Sequence, residues 1–182
     1  GNFSAGNSLN LTGGILTNRN LLTQVGGSVN VTAGSYDFGT LNKSNGVLSN
    51  AATLVITNFN QSNGTASNSG NLTISNANLY GSLTNTGTLS LTGTVTSRGN
   101  LTSSGTLNNR GNWTETTHYA ISGSLNNSGA VNFQNGFEFA SNGRLNSSGT
   151  LQTNNAANIF DSLGRQGQTA LSTVSLQAAL PE

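Results

Sequence analysis

Residues 70–91 read GNLTISNANLYGSLTNTGTLSL, and two habits of this stretch decide the fold. Aliphatic side chains alternate with small polar ones, as in Leu72-Thr73-Ile74 and Leu89-Ser90-Leu91, which is the period of a strand with one buried face. Every few residues a Gly or Asn interrupts the alternation. Within 71–87 the apolar side chains fall into three short pieces, Leu72/Ile74, Leu79 and Leu83, separated by corners. Three short strands that turn corners and return to their starting point form one coil of a β-helix.

The same grammar spreads in both directions. An aliphatic residue followed four positions later by Gly recurs at Ala66–Gly70, Leu83–Gly87, Leu101–Gly105, Leu107–Gly111, Leu125–Gly129 and Leu145–Gly149. Alternating segments also occur at 9–11, 29–31, 54–56 and 131–133, and successive markers lie about 17–25 residues apart, a solenoid spacing. Stacking such coils pairs every strand in parallel with its equivalents above and below. Inward aliphatics then form columns, expected to include Leu72, Ile74, Leu83, Leu89, Leu91, Leu101, Leu125, Val131 and Leu145. Asn at equivalent corners is expected to bond to Asn one coil away in a side-chain ladder. Gly and Asn are expected at the corners because both tolerate positive φ. The expectation is an all-β chain, a right-handed parallel β-helix over 1–153 with almost no helix. Residues 154–182, where the motif stops, are expected to be a terminal coil, a cap or a linker.

Composition narrows the function. Of 182 residues only 6% are charged and 33% hydrophobic, with 24 Gly, a single Pro and a net charge of +1. Arg19, Lys43, Arg98, Arg110, Arg144 and Arg165 are scattered singly, so no basic stripe exists to neutralise phosphates and nucleic acid is not an expected partner. Cys is absent, which removes disulfides and thiolate chemistry. No apolar run approaches the ~20 residues of a membrane helix, so no membrane insertion by this segment is expected. The chain starts at Gly1 without an initiator Met or signal-peptide core and reads as an excised fragment.

Catalytic chemistry finds few residues to use. The acids Asp37, Glu115, Glu138, Asp161 and Glu182 lie far apart in sequence, although neighbouring coils have the means to bring Glu115 and Glu138 together. The chain reads as a non-enzyme with no cofactor and no metal site. Asn-x-Ser/Thr triplets at Asn10, Asn30, Asn71, Asn100 and Asn112 are acceptor sites for sugar only if the chain meets the machinery. The strongest break in the repeat is 112–121, which holds Trp113, Glu115, His118 and Tyr119. It reads as a longer coil with a bulging loop, and these four residues are the candidate binding site, since aromatics concentrate at binding hot spots. The competing reading is a coil whose Trp is simply packed; Phe137 and Phe139, on one side of a strand, read as core.

The runs at 70–75, 81–91 and 143–151 resemble the haemagglutinin repeats of filamentous-haemagglutinin-like exoproteins, which include two-partner-secreted adhesins; autotransporter passengers share the pattern. The resemblance implies a right-handed β-helix, export of the parent protein through an outer-membrane β-barrel transporter, and roles in adhesion, biofilm, virulence or cell contact. Expected partners are a host or bacterial cell-surface receptor or glycan, and the expected location is the bacterial cell surface or the medium. The Asn-Pro-Asn type of motif that marks the family's secretion domain is missing, which suggests an internal or distal repeat segment. No binding residue of the family transfers. The alternatives are a trimeric phage or other extracellular fibre, an ice-binding solenoid, for which Thr94-Val95-Thr96 is too isolated, and a glycan-active β-helix.

Overall fold

A computed structural model describes residues 3–5, 8–140, 143–153 and 169–171. Strands of three to ten residues are joined by short corners, every strand pairing is parallel, and the described residues contain no helix. The chain is a parallel β-solenoid of about eight turns.

The coil is three-sided. In the coil that opens at Asn71, Asn71–Leu79 forms the first two sides around a bend, and Ser82–Asn85 forms the third. The next coil splits into Thr88–Leu91, Thr94–Ser97 and Leu101–Ser103. Register along the first side runs Ser35, Thr53, Asn71, Thr88, Thr106, Ser124 and Arg144, so a coil takes 17 to 20 residues and most take 18. Thr169–Leu171 pairs with Arg144–Ser147 and continues the stack inside the segment expected to be a terminal coil. The rest of 154–182 lies outside the described residues.

Each side carries about four residues with the second and fourth facing inward, so six columns fill the interior. The first-side column Leu54, Leu72, Leu89, Leu107, Leu125, Leu145 is buried throughout, and the other inward positions expected from the sequence are buried as well. A four-residue strand is too short to persist alone; each gains its stability by burying two side chains against neighbours above and below, about 2 kcal/mol for each aliphatic. The Leu-x-x-x-Gly motif turns out to mark a strand and the corner after it, not one fixed place in the coil. Leu83–Gly87 and Leu101–Gly105 lie on the third side, whereas Leu107–Gly111 and Leu125–Gly129 lie on the first.

Corner glycines are explained by stacking more than by torsion. Among the described residues none other than Gly has positive φ, so no described Asn takes the left-handed conformation that the sequence suggested for it. Gly46 and Gly64 do take it, at φ 79° and 76°, in the Ser-Asn-Gly corners at 44–46 and 62–64. At Gly111 a Cβ would instead lie 1.9 Å from the carbonyl oxygen of Gly93, one coil before. At this corner the successive coils approach too closely for a side chain.

Asn has a different task. Asn50, Asn68 and Asn85 occupy the last inward position of the third side, fully buried. Asn50 donates to Asn68 Oδ1 at 2.7 Å, Asn68 to Asn85 Oδ1 at 2.7 Å, and Asn85 to Ser103 Oγ at 2.9 Å. The same amides reach carbonyls of the following corner, as Asn68 does at Gly70 and Thr88. From Asn109 the ladder moves to the first side and runs through Asn127 to Ser147. Gln24, Lys43 and Gln61 cap the second-side corners, each donating to a Gly carbonyl three residues on. Buried amides, and the ammonium of Lys43, thus satisfy the carbonyls that corners leave outside the ladder. Asn68→Ala should cost about 2 kcal/mol, because it orphans buried groups on two coils. Asn146→Ala, in an exposed ladder with Asn126, should fall within about 0.5 kcal/mol. Chemical denaturation of the two variants checks the difference.

Candidate functional site

The segment 112–121 is not a bulge. Its coil runs from Thr106 to Ser124 in 18 residues, the common period, with Asn112–Glu115 and Tyr119–Ile121 as ordinary second- and third-side strands. Composition makes it look irregular because the inward positions there carry large or charged side chains.

Trp113 occupies the first inward position of the second side, between Val95 and Val131, and is 1% exposed. Tyr119 sits inward on the third side, 2% exposed, with its ring edge-on to Trp113 at 5.1 Å. Phe133 stacks on Tyr119 at 5.6 Å and meets Trp113 at 5.4 Å, and Phe137 follows at 4.9 Å from Phe133. The aromatics form an internal cluster that fills two coils. As placed, neither Trp113 nor Tyr119 reaches a ligand on the surface.

Glu115 is also inside. It lies one coil beyond Ser97 and one before Phe133, fully buried. Its Oε1 accepts from Thr117, from the backbone N–H at 3.0 Å and the hydroxyl at 2.6 Å, while Oε2 has no hydrogen-bond partner. Burial pushes its carboxyl up to about 7, with the Thr117 bonds holding it back. Burial, with repulsion from Glu115, likewise pushes the Tyr119 phenol above its ordinary range. The acid therefore stabilises the fold fully below about pH 4.5, its unfolded value, and that contribution is lost as pH rises through about 7. Melting curves of wild type and Glu115→Gln between pH 4.5 and 8 should diverge in favour of the variant as pH rises. A constant difference across that range would contradict the buried, unpaired carboxylate.

Of the four expected residues only His118 is exposed, with Nε2 3.8 Å from Glu138 Oε1 and Nδ1 3.3 Å from the Asn135 carbonyl. Glu115 and Glu138 stand on opposite sides of the coil wall, so they form no acid–base pair. An exposed His–Glu pair contributes less than about 1 kcal/mol. Among the described residues no group of three potential metal ligands occurs.

The surface relief lies elsewhere, on the second side of the coils before Thr96. One depression of about 190 Å³ is bordered by Asn42, Asn60, Asn78 and Tyr80, with Ser44 and Ser62 at the corner. A larger one of about 420 Å³ adjoins it, sharing Asn60 and Asn78 and reaching Thr94 and Thr96. Sequence reasoning passed over these residues. Their signal is visible only once the chain is written in rows of 18, which aligns 42, 60 and 78 with 96, and Ser62 with Tyr80 and Arg98. Comparison of the chain with protein-family models, curated proteins and solved structures returned no match. What the fold itself defines is the class, a parallel β-solenoid with a filled interior.

Proposed function

We propose that this chain is a structural and adhesive segment of a large secreted bacterial surface protein, a stalk that also presents a binding surface for cell–cell or cell–host contact. The observation that carries this reading is the division between inside and outside. The interior is packed with side chains on all three sides and holds the Trp, the largest aromatic cluster and a buried acid, while the outer faces are Asn, Ser and Thr with few charges. Such a wall offers reach and display. About eight turns at roughly 4.8 Å each give a column roughly 38 Å long. The haemagglutinin-like repeat grammar supports placing the parent protein outside the cell, after passage through an outer-membrane transporter.

The test is direct binding. Fluorescently labelled chain is added to bacterial cells and to cultured epithelial cells, with unlabelled chain as competitor. Saturable, competed binding to either is the expected result. Its absence on both would leave a spacer with no adhesive role.

A further inference from the structure

We propose that the second-side groove ending at Tyr80 is a binding site for a neutral polysaccharide, a site that gives the adhesive reading above its ligand class. Three features of the groove meet there. The outward positions of this side from 40 to 96 are all Asn or Thr, so the floor offers donors and acceptors without a single charge. Tyr80 stands at the corner, 51% exposed, the one large exposed hydrophobic ring among the described residues. Between floor and ring lies Asn78, whose amide is exposed and makes no hydrogen bond among the described residues, whereas Asn60 and Asn76 each donate to the Asn one coil before.

The ring is held in place. Arg98, one coil further on, bonds the Tyr80 hydroxyl and lies with its guanidinium 5.1 Å from the ring centroid. Arg98 comes from the coil after Tyr80, whereas the groove is built from Asn42, Asn60 and their neighbours in the coils before it. Tyr80 itself lines that depression, so its ring borders the groove. A sugar ring presents an apolar C–H face and a rim of neutral hydroxyls that both donate and accept. Tyr80 suits the face, and the Asn78 and Asn60 amides suit the rim, in the pattern of an aromatic surface with a few fixed polar groups. The outward floor positions carry no charge, and the two cations beside them are engaged, Lys43 buried with its Nζ on the Gly46 and Asn63 carbonyls and Arg98 on Tyr80. A polymer fits better than a single sugar because the floor repeats every coil, at about 4.8 Å.

The test is affinity electrophoresis of the full chain in native gels cast with dextran, mannan, galactomannan or laminarin, with heparin as the anionic control. Retardation by at least one neutral polymer is expected. Tyr80→Ala and Asn78→Ala should each raise the apparent Kd at least about tenfold, the loss of one stacking or amide contact, with unchanged melting temperature because both side chains are exposed. No retardation by any neutral polymer, retardation by heparin alone, or retardation unaltered in both variants overturns the proposal. Cell binding without polysaccharide binding defeats this site and leaves the adhesive reading standing; polysaccharide binding without cell binding does the reverse.

Discussion

Leu89→Asp should unfold the solenoid, at a cost of more than about 4 kcal/mol, while Thr84→Asp five residues earlier should change stability by less than about 0.5 kcal/mol. Leu89 is 0% exposed in the centre of the first-side column, flanked one coil away by Leu72 and Leu107. An aspartate there meets only aliphatic neighbours and has no cation to pair with, so it must either stay protonated or break the column. The damage spreads because each coil touches only its two neighbours, and a coil that fails withdraws a partner from both. Thr84 projects from the outer face of Ser82–Asn85, beside Thr102, where an added carboxylate stays hydrated. Thermal melts of the two variants decide the matter. Tolerance of Leu89→Asp together with loss of folding in Thr84→Asp would mean that inside and outside have been exchanged.

Gly111→Ala should cost about 3 kcal/mol, the larger end of what overpacking does. The added methyl would lie 1.9 Å from the Gly93 oxygen and 2.7 Å from the Gly93 carbon and nitrogen, all backbone atoms with no rotamer to change. The same oxygen accepts the hydrogen bond from the Asn112 N–H at 2.8 Å, so moving it away loosens the entry to the strand that carries Trp113. Gly13→Ala is the control, since nothing lies within 4 Å of its added methyl; it should be neutral or stabilise by up to about 1 kcal/mol through the unfolded chain. Equal effects of the two substitutions would show that corner glycines serve backbone flexibility and not close stacking.

Much of this architecture is legible without coordinates because a solenoid repeats its instructions. Leu72, Ile74, Leu83 and Leu89 announce their burial through period-2 alternation, and the coil 71–87 is delimited by its own corners. The polar interior is less legible. Asn68 and Asn127 sit at inward positions, and a polar residue there looks like surface unless the carbonyls of the next corner are known to need a donor. The aromatic coil misleads for the opposite reason. Trp113, Glu115 and Tyr119 break the small-residue texture of the repeat, and breaks in texture are where loops and binding sites are sought, yet the three side chains point inward at unchanged period. The groove beside Tyr80 is built from residues 18 apart that are unremarkable singly, so it emerges only when coils are stacked.

The central claim, that residues about 18 apart stack in one column, is tested most directly by distances. The chain contains no Cys, so spin labels can be placed at chosen pairs without background. Asn10, Asn30, Ser49, Ser67, Thr84 and Thr102 are successive register partners on the outer face of the third side. Labels on Thr102 paired in turn with Ser49, Asn30 and Asn10 span three, four and five coils, so their separations should be about 14, 19 and 24 Å, rising by one strand spacing each time. Separations that fail to rise by that uniform step, or that grow with the number of intervening residues as in an unstacked chain, would contradict the solenoid.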